Sequence, residues 1–151
     1  MTGYGDFSPY VYLLESIPDA VCAVNVGWLE PGWVFPRGDA ETTFVDALGV
    51  LCRDESRARS RGWHACRLGR GCEQLGHPLL AQVNGTEVAL GAAEVRVVSE
   101  DGRWLIAPDL VHHYVTAHRY QPPSVFMEAV LARRVVPPQG PSPPSSRRLG
   151  A

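Results

Sequence analysis

Lysine is absent from this chain of 151 residues, because all 14 basic residues are arginine. They nearly balance the 16 acidic residues, which leaves a net charge of -2. That charge is too small to attract nucleic acid or an acidic membrane strongly. Arginine without lysine, together with abundant alanine, glycine, proline and valine, is typical of a GC-rich genome and needs no functional explanation.

Long hydrophobic runs are also absent, and none approaches the ~20 residues of a membrane helix. The first 18 residues lack the basic start of a secretory signal and are interrupted by Asp6, Pro9 and Glu15. We therefore expect a cytoplasmic protein without membrane contact, in a compartment where thiols stay reduced. The cysteines are then core thiols or metal ligands rather than disulfides: Cys22, Cys52, Cys66 and Cys72.

Familiar catalytic motifs are missing too. The sequence has no glycine-rich phosphate loop, no nucleophile elbow and no carboxylate pair in a recognisable frame. It therefore assigns no catalytic residue and no organic cofactor. Hydrophobic residues make up 45% and charged residues 20%, as is usual for a soluble globular protein. We predict one globular α+β domain over residues 1–135 and a disordered, proline- and serine-rich tail over residues 136–151.

Hydrophobic periodicity predicts three helices. The first covers Thr42–Arg53, and Cys52 lies on its apolar stripe, which favours a buried structural thiol. Two more helices are predicted over Pro108–Arg134, with Pro108 in the first turn and Pro122-Pro123 separating them.

Short apolar runs with turn residues between them predict an antiparallel β-meander over Pro78–Ile106. Its strongest signal is Asn84-Gly85, a typical hairpin turn between two strand-like runs. In Ala93–Val98 charged residues alternate with apolar ones, which predicts a strand with Glu94 and Arg96 on one face and Val95 and Val97 on the other. A further short strand is predicted over Val21–Val26.

Two cysteines and two histidines form the one constellation that suggests chemistry. Cys66 and Cys72 lie in a loop-like stretch, and His113 and His118 follow on the predicted helix after the sheet. Thiolate and imidazole are the preferred ligands of structural zinc, and two cysteines followed by two histidines belong to its spacing patterns. We predict that these four residues surround one Zn²⁺, with ligand atoms within ~4 Å of a common centre.

The spacing also leaves a metal-free alternative open. C-x5-C is looser than the usual C-x2–4-C, and residues five apart on an ideal helix diverge by about 140°. His113 and His118 converge only if the helix tightens or unwinds near Pro122. Otherwise His118 is a hydrogen-bonded core histidine, and His112 and His113 are exposed. Weaker candidate ligands are His64 and His77.

Four segments carry a resemblance to a known family: Asn25–Leu29, Arg61–Cys66, Ala107–Tyr114 and His118–Pro123. From Tyr4 to Ala132 the chain resembles a family of small uncharacterised bacterial proteins, common in actinobacteria. That family has a His/Cys loop, a G-x-A-E-[IV]-R-V strand and a helix with the pattern A-P-x-L-[IV]-x-H-Y-V-x-x-H-x-Y-x-P-P.

The resemblance implies that Cys66, His113 and His118 are metal ligands. The second cysteine of the family pattern falls at Gly69 in this chain, so Cys72 would have to replace it from three residues later. The family brings no established activity with it.

Three functions remain open. The first is a non-catalytic accessory domain that binds an unidentified protein and is stapled by structural zinc. Its interaction patch would include Trp28, Trp33 and Trp63, although core burial is the commoner fate of tryptophan.

The third possibility is a zinc-finger-like nucleic-acid module. It would depend on the arginine-rich stretch Arg53–Arg70, whose irregular spacing argues against one basic face.

The second possibility is a metal-dependent enzyme. Cys66, His113 and His118 would hold the zinc, and a water molecule would take the fourth position as nucleophile. Glu94 or Glu87 would then be the candidate base. On its strand Glu94 shares a face with Arg96, which makes an ion pair the simpler explanation.

Overall fold

The computed structural model describes residues 3–60, 62–76 and 78–137. Its helices and strands confirm the predicted α+β class, with one helix in the first half and two near the C-terminus. In chain order the strands and α-helices are β1 (Ala23–Asn25), α1 (Thr42–Asp54), β2 (Leu79–Val83), β3 (Thr86–Leu90), β4 (Glu94–Val98), β5 (Trp104–Pro108), α2 (Val111–His118) and α3 (Ser124–Leu131). Short 3₁₀-helices cover Leu14–Ser16 and Cys72–Leu75.

The strands form two sheets rather than one continuous meander. β2 and β3 pair as an isolated antiparallel hairpin, whereas β5 pairs antiparallel with β4 and parallel with β1. β3 does not continue onto β4 because the outer edge of β4 is already covered. Glu94 bridges to Arg57, and Val97 bridges to Val135, along that edge.

The structure confirms the predicted hairpin turn but not the predicted start of α2. Asn84 and Gly85 both have positive φ, 49° and 79°, as the predicted hairpin turn requires. Pro108, predicted in the first turn of a helix, is instead the last residue of β5 and pairs with Glu94. Asp109 and Leu110 form a turn, in which the Asp109 N–H donates to the carbonyl of Ala93, so α2 begins only at Val111.

The three-stranded sheet is covered on both faces. Along β5, Leu105 and Ala107 face the main core, whereas Ile106 faces a smaller cluster with Tyr10 and Trp28. The alternation predicted in β4 is confirmed, with Val95 and Val97 in the main core. In that core α1 packs on α3, and Phe44 and Phe126 meet edge to face. Cys52 is buried there, as predicted.

The packed part of the chain extends slightly past residue 135. Val136 is buried, and its N–H donates to the carbonyl of Arg96. Residues 138–151, most of the segment predicted to be disordered, lie outside the described residues, as do Arg61 and His77. Within the described ranges, no helix combines the length and apolarity needed to cross a membrane.

Candidate metal centre

The four predicted ligands come together in the structure. Ligand atoms of Cys66, Cys72, His113 and His118 all lie within 4.8 Å of one another. The Nε2 atom of His118 lies 3.3 Å from Cys66 Sγ and 3.4 Å from Cys72 Sγ. Cys72 Sγ also lies 3.5 Å from His113 Nε2. A tetrahedral zinc with these ligands separates its sulfur and nitrogen atoms by about 3.5 Å, so the cluster has the donors and spacing to hold such an ion.

The loop before β2 places both thiols. The N–H of Leu68 points to Cys66 Sγ at 3.4 Å, and the N–H of Cys72 donates to the Gly69 carbonyl as the 3₁₀-helix begins. The loop is anchored just after β3, where the N–H of His64 donates to the Gly91 carbonyl. Gly91 has a φ of +116°, and a Cβ there would lie 2.4 Å from the His64 carbonyl oxygen. Only glycine allows this approach.

The two histidines converge because α2 ends at His118. His118 is its last residue, and Arg119 turns the chain into the left-handed region with a φ of 57°. The imidazole rings of His113 and His118 lie 5.1 Å apart and nearly perpendicular. The condition stated for their convergence, that the helix ends before Pro122, is therefore met.

Burial sets the protonation of the cluster. It raises the pKa of the Cys66 thiol to about 11, against the opposing effect of the Leu68 N–H. Burial, with the neighbouring His118 and His112, lowers the pKa of His113 to about 4. The pKa of His118 is also lowered, by burial and then by Arg37. Both imidazoles are therefore neutral at pH 7 and free to donate a lone pair, while a metal must displace the thiol proton.

The charge of the loaded cluster would suit its surroundings. Two thiolates and two neutral imidazoles around Zn²⁺ carry no net charge. Cys66 is fully buried and Cys72 and His113 are nearly so, and an uncompensated charge at such a position is costly. A divalent ion with these ligands therefore enters the protein without leaving a buried charge.

Gly69 is a part of the site that spacing arguments missed. A Cβ at this position would lie 2.9 Å from His118 Cε1 and 3.3 Å from Cys72 Sγ. The position thus faces the corner that the Cys72 thiol occupies. The Cys72 thiol therefore lies beside position 69, where the resembled pattern has its second cysteine. A glycine inside a cysteine loop was the available signal.

Substitution of Gly69 tests this packing. We expect Gly69→Ala to weaken zinc affinity roughly tenfold to a hundredfold, the usual cost of disturbing the groups that orient metal ligands. Gly71→Ala is the matched control, since a Cβ there meets nothing within 4 Å. Competition with a chromophoric chelator measures both affinities. Equal affinities of the two variants would contradict the packing role.

Other residues singled out in the sequence lie elsewhere. His112 and His113, exposed in the metal-free alternative, are both buried. His112 packs beside Gly49 of α1, and His64 is outside the cluster. The carboxylate of Glu94 accepts hydrogen bonds from Tyr10 and Arg96, which confirms the ion-pair interpretation.

The tryptophans singled out in the sequence are partly buried and partly exposed, and two of the clustered arginines form ion pairs. Trp28 belongs to the smaller core cluster, and its Nε1–H donates to the carbonyl of Ile106. Trp33 and Trp63 remain exposed by 40% and 38%. In the arginine-rich stretch, Arg53 pairs with Asp54, and Arg57 pairs with Glu55. These two arginines are therefore already neutralised within the chain.

Comparison with known proteins places the chain in a family without assigning an activity. Residues 2–131 match the family described as a domain of unknown function, DUF7919. The chain belongs to this family. The matched segment nearly coincides with the stretch over which the sequence suggested a family resemblance. No curated protein and no solved structure matches the chain significantly.

Proposed function

We propose that this member of the DUF7919 family is a non-catalytic accessory domain that binds another protein and is stapled by one structural Zn²⁺. The supporting observation is the mutual proximity of four buried or half-buried ligand atoms. Four protein ligands complete a tetrahedral site and leave no open position for a substrate. The ion would tie the loop before β2 to α2, joining cysteines and histidines that are 41 to 52 residues apart in the chain.

Metal content of the purified protein tests the zinc part of the proposal. Elemental analysis should give close to one equivalent of zinc per chain, and Cys66→Ser should lose it. Cys22→Ser is the matched control, because Cys22 is exposed and outside the cluster. Zinc absent from the unmodified protein, or retained in full by Cys66→Ser, would contradict the assignment.

The same measurement separates the structural role from the catalytic alternative. An enzyme with water in the fourth position would keep its zinc in Cys72→Ser and lose it in Cys66→Ser. A closed structural site should lose affinity in both variants. Since Cys72 Sγ approaches both histidines, we expect the two losses to be similar.

The partner surface is proposed at the exposed tryptophans. Trp33 and Trp63 keep more than a third of their surface in solvent, and aromatic side chains are enriched in interfaces. A Trp33→Ser, Trp63→Ser double variant should lose a stoichiometric partner that co-purifies with the unmodified chain. Leu80→Ser is the control, because Leu80 is an exposed apolar residue on β2. Steeply salt-dependent binding of DNA or RNA would favour a nucleic-acid module instead.

A further inference from the structure

A cavity of about 210 Å³ lies between the N-terminal segment, the loop that carries Cys66 and the junction of β5 with α2. This volume is below the roughly 300–1,000 Å³ of sites for drug-sized ligands, so its occupant must be small. The side chains that bear on its chemistry are Tyr4, Tyr12, Trp28, His64, Glu94 and Asp109. None of the metal-cluster residues lines it.

Aromatic rings give the cavity an apolar and π-rich wall. Tyr4 and Trp28 meet edge to face, with ring centroids 5.9 Å apart. Because the Nε1–H of Trp28 already donates to Ile106, this ring offers its surface rather than its donor. Tyr12 is 58% exposed and marks the side open to solvent. Such rings attract a cation through their quadrupoles.

The two acidic residues of the lining differ in their partners. Glu94 is neutralised, because Arg96 forms an ion pair with its carboxylate. Asp109 is only 1% exposed, and its Oδ1 accepts the N–H of Gly91 at 2.8 Å. Among the residues that the structure describes, its Oδ2 has no hydrogen-bond partner.

An unpartnered carboxylate oxygen at this depth is a costly feature. Burial raises the pKa of Asp109 to about 6, against the opposing effects of the backbone N–H groups and of Arg59. The carboxylate is thus still ionised at pH 7.5. No lysine exists in the chain to neutralise it, and no arginine of residues 3–60, 62–76 and 78–137 lines the cavity. A hydrogen-bond donor with positive charge is the missing complement.

We propose that this cavity binds a small primary amine in its protonated form. The ammonium group donates to Asp109, and a compact apolar body lies against Tyr4, Tyr12 and Trp28. This amine-binding site is separate from the candidate zinc site, although His64, which lines the cavity, belongs to the loop that carries Cys66.

Benzylamine and its neutral analogue benzyl alcohol are the probes. Each is titrated into the zinc-loaded full chain at pH 7.5, and amide chemical shifts report binding. Only the amine can form a charge-assisted hydrogen bond with Asp109, so benzylamine should bind at least roughly tenfold more tightly than benzyl alcohol. Equal affinities, or no saturable binding of either probe, would overturn the proposal. The second result would mean that the cavity has no affinity for a small amine.

Variants locate the binding. Asp109→Asn keeps an oxygen for the Gly91 N–H and removes the charge, so the preference for amine should disappear. The control Glu87→Gln removes an exposed charge of β3 and should leave the preference intact. Tyr12→Ala should weaken the binding of both probes. Because Tyr12 is exposed, this variant should fold and keeps the test decisive even if Asp109→Asn does not fold. Amine preference that survives in Asp109→Asn, or unchanged binding in Tyr12→Ala, would place the amine elsewhere.

Discussion

Removal of zinc with a strong chelator is expected to lower the melting temperature by about 8–16 °C. An ion present at a thousand times its dissociation constant stabilises a fold by about 4 kcal/mol, and a domain of this size responds with about 2–4 °C per kcal/mol. The cause is local, because Cys66 and Cys72 would lose the ion that fixes their loop to His113 and His118. Thermal denaturation followed by circular dichroism measures the shift.

Controls distinguish zinc loss from side effects of the chelator. Returned Zn²⁺ should restore the melting temperature, and Mg²⁺ should not, because thiolate and imidazole are ligands of zinc whereas Mg²⁺ requires oxygen ligands. Cys66→Ser should melt at the temperature of the chelated protein and no longer respond to chelator. An identical melting temperature before and after complete zinc removal would contradict a structural role.

Arg96→Met is expected to destabilise the fold by about 3–5 kcal/mol, the usual cost of leaving one buried charge without its partner. Arg96 and Glu94 pair at 2.9 Å with side chains only 5% and 4% exposed. The control is Arg103→Met, because Arg103 pairs with the largely exposed Asp101 and such pairs contribute about 0–1 kcal/mol. Urea denaturation gives both values.

The pH dependence of this variant identifies the cause. Burial raises the pKa of Glu94, and Arg96 opposes that shift, so loss of Arg96 raises the pKa further. A carboxyl whose folded pKa is raised favours folding below its unfolded pKa and loses that advantage as pH rises through the folded value. The destabilisation of Arg96→Met, relative to the unmodified chain, should therefore be smaller at pH 4 than at pH 7.5. A pH-independent difference would indicate lost packing instead of lost charge pairing.

Local patterns predicted the parts of this fold that depend on neighbouring residues. The apolar stripe of α1 and the Asn84-Gly85 turn both follow from backbone preferences and side-chain spacing within a few residues. The alternation of β4 also placed Glu94 and Arg96 on one face. That these two charges are buried could not be predicted, since Tyr10, which hydrogen-bonds to both, is 84 and 86 residues away in the chain.

Pairing between distant strands was beyond the reach of such patterns. β1 joins β5 in parallel, and this contact has no signature in either short strand. The position of Pro108 at the end of β5 likewise depends on its pairing with Glu94. A proline before an apolar helical stripe is compatible with either a strand end or a first turn, and only tertiary contacts decide.

The four residues that meet in the candidate metal centre could be predicted from the sequence, but the residues around them could not. Residue chemistry and spacing selected Cys66, Cys72, His113 and His118, because few side chains suit zinc. The close approach of Gly69 to His118 and the anchoring of the loop through Gly91 depend on the course of the backbone. Glycines in loops have many causes, so the sequence alone could not assign these two.

X-ray absorption at the zinc edge of the metal-loaded protein tests the central claim most directly. Two sulfur ligands at about 2.3 Å and two nitrogen ligands at about 2.0 Å are predicted, with no oxygen ligand. Cys22→Ser should give the same spectrum, whereas Cys72→Ser should lose one sulfur. A shell of oxygen and nitrogen without sulfur, or one sulfur with a bound water in the unmodified protein, would contradict a closed site built from two cysteines and two histidines.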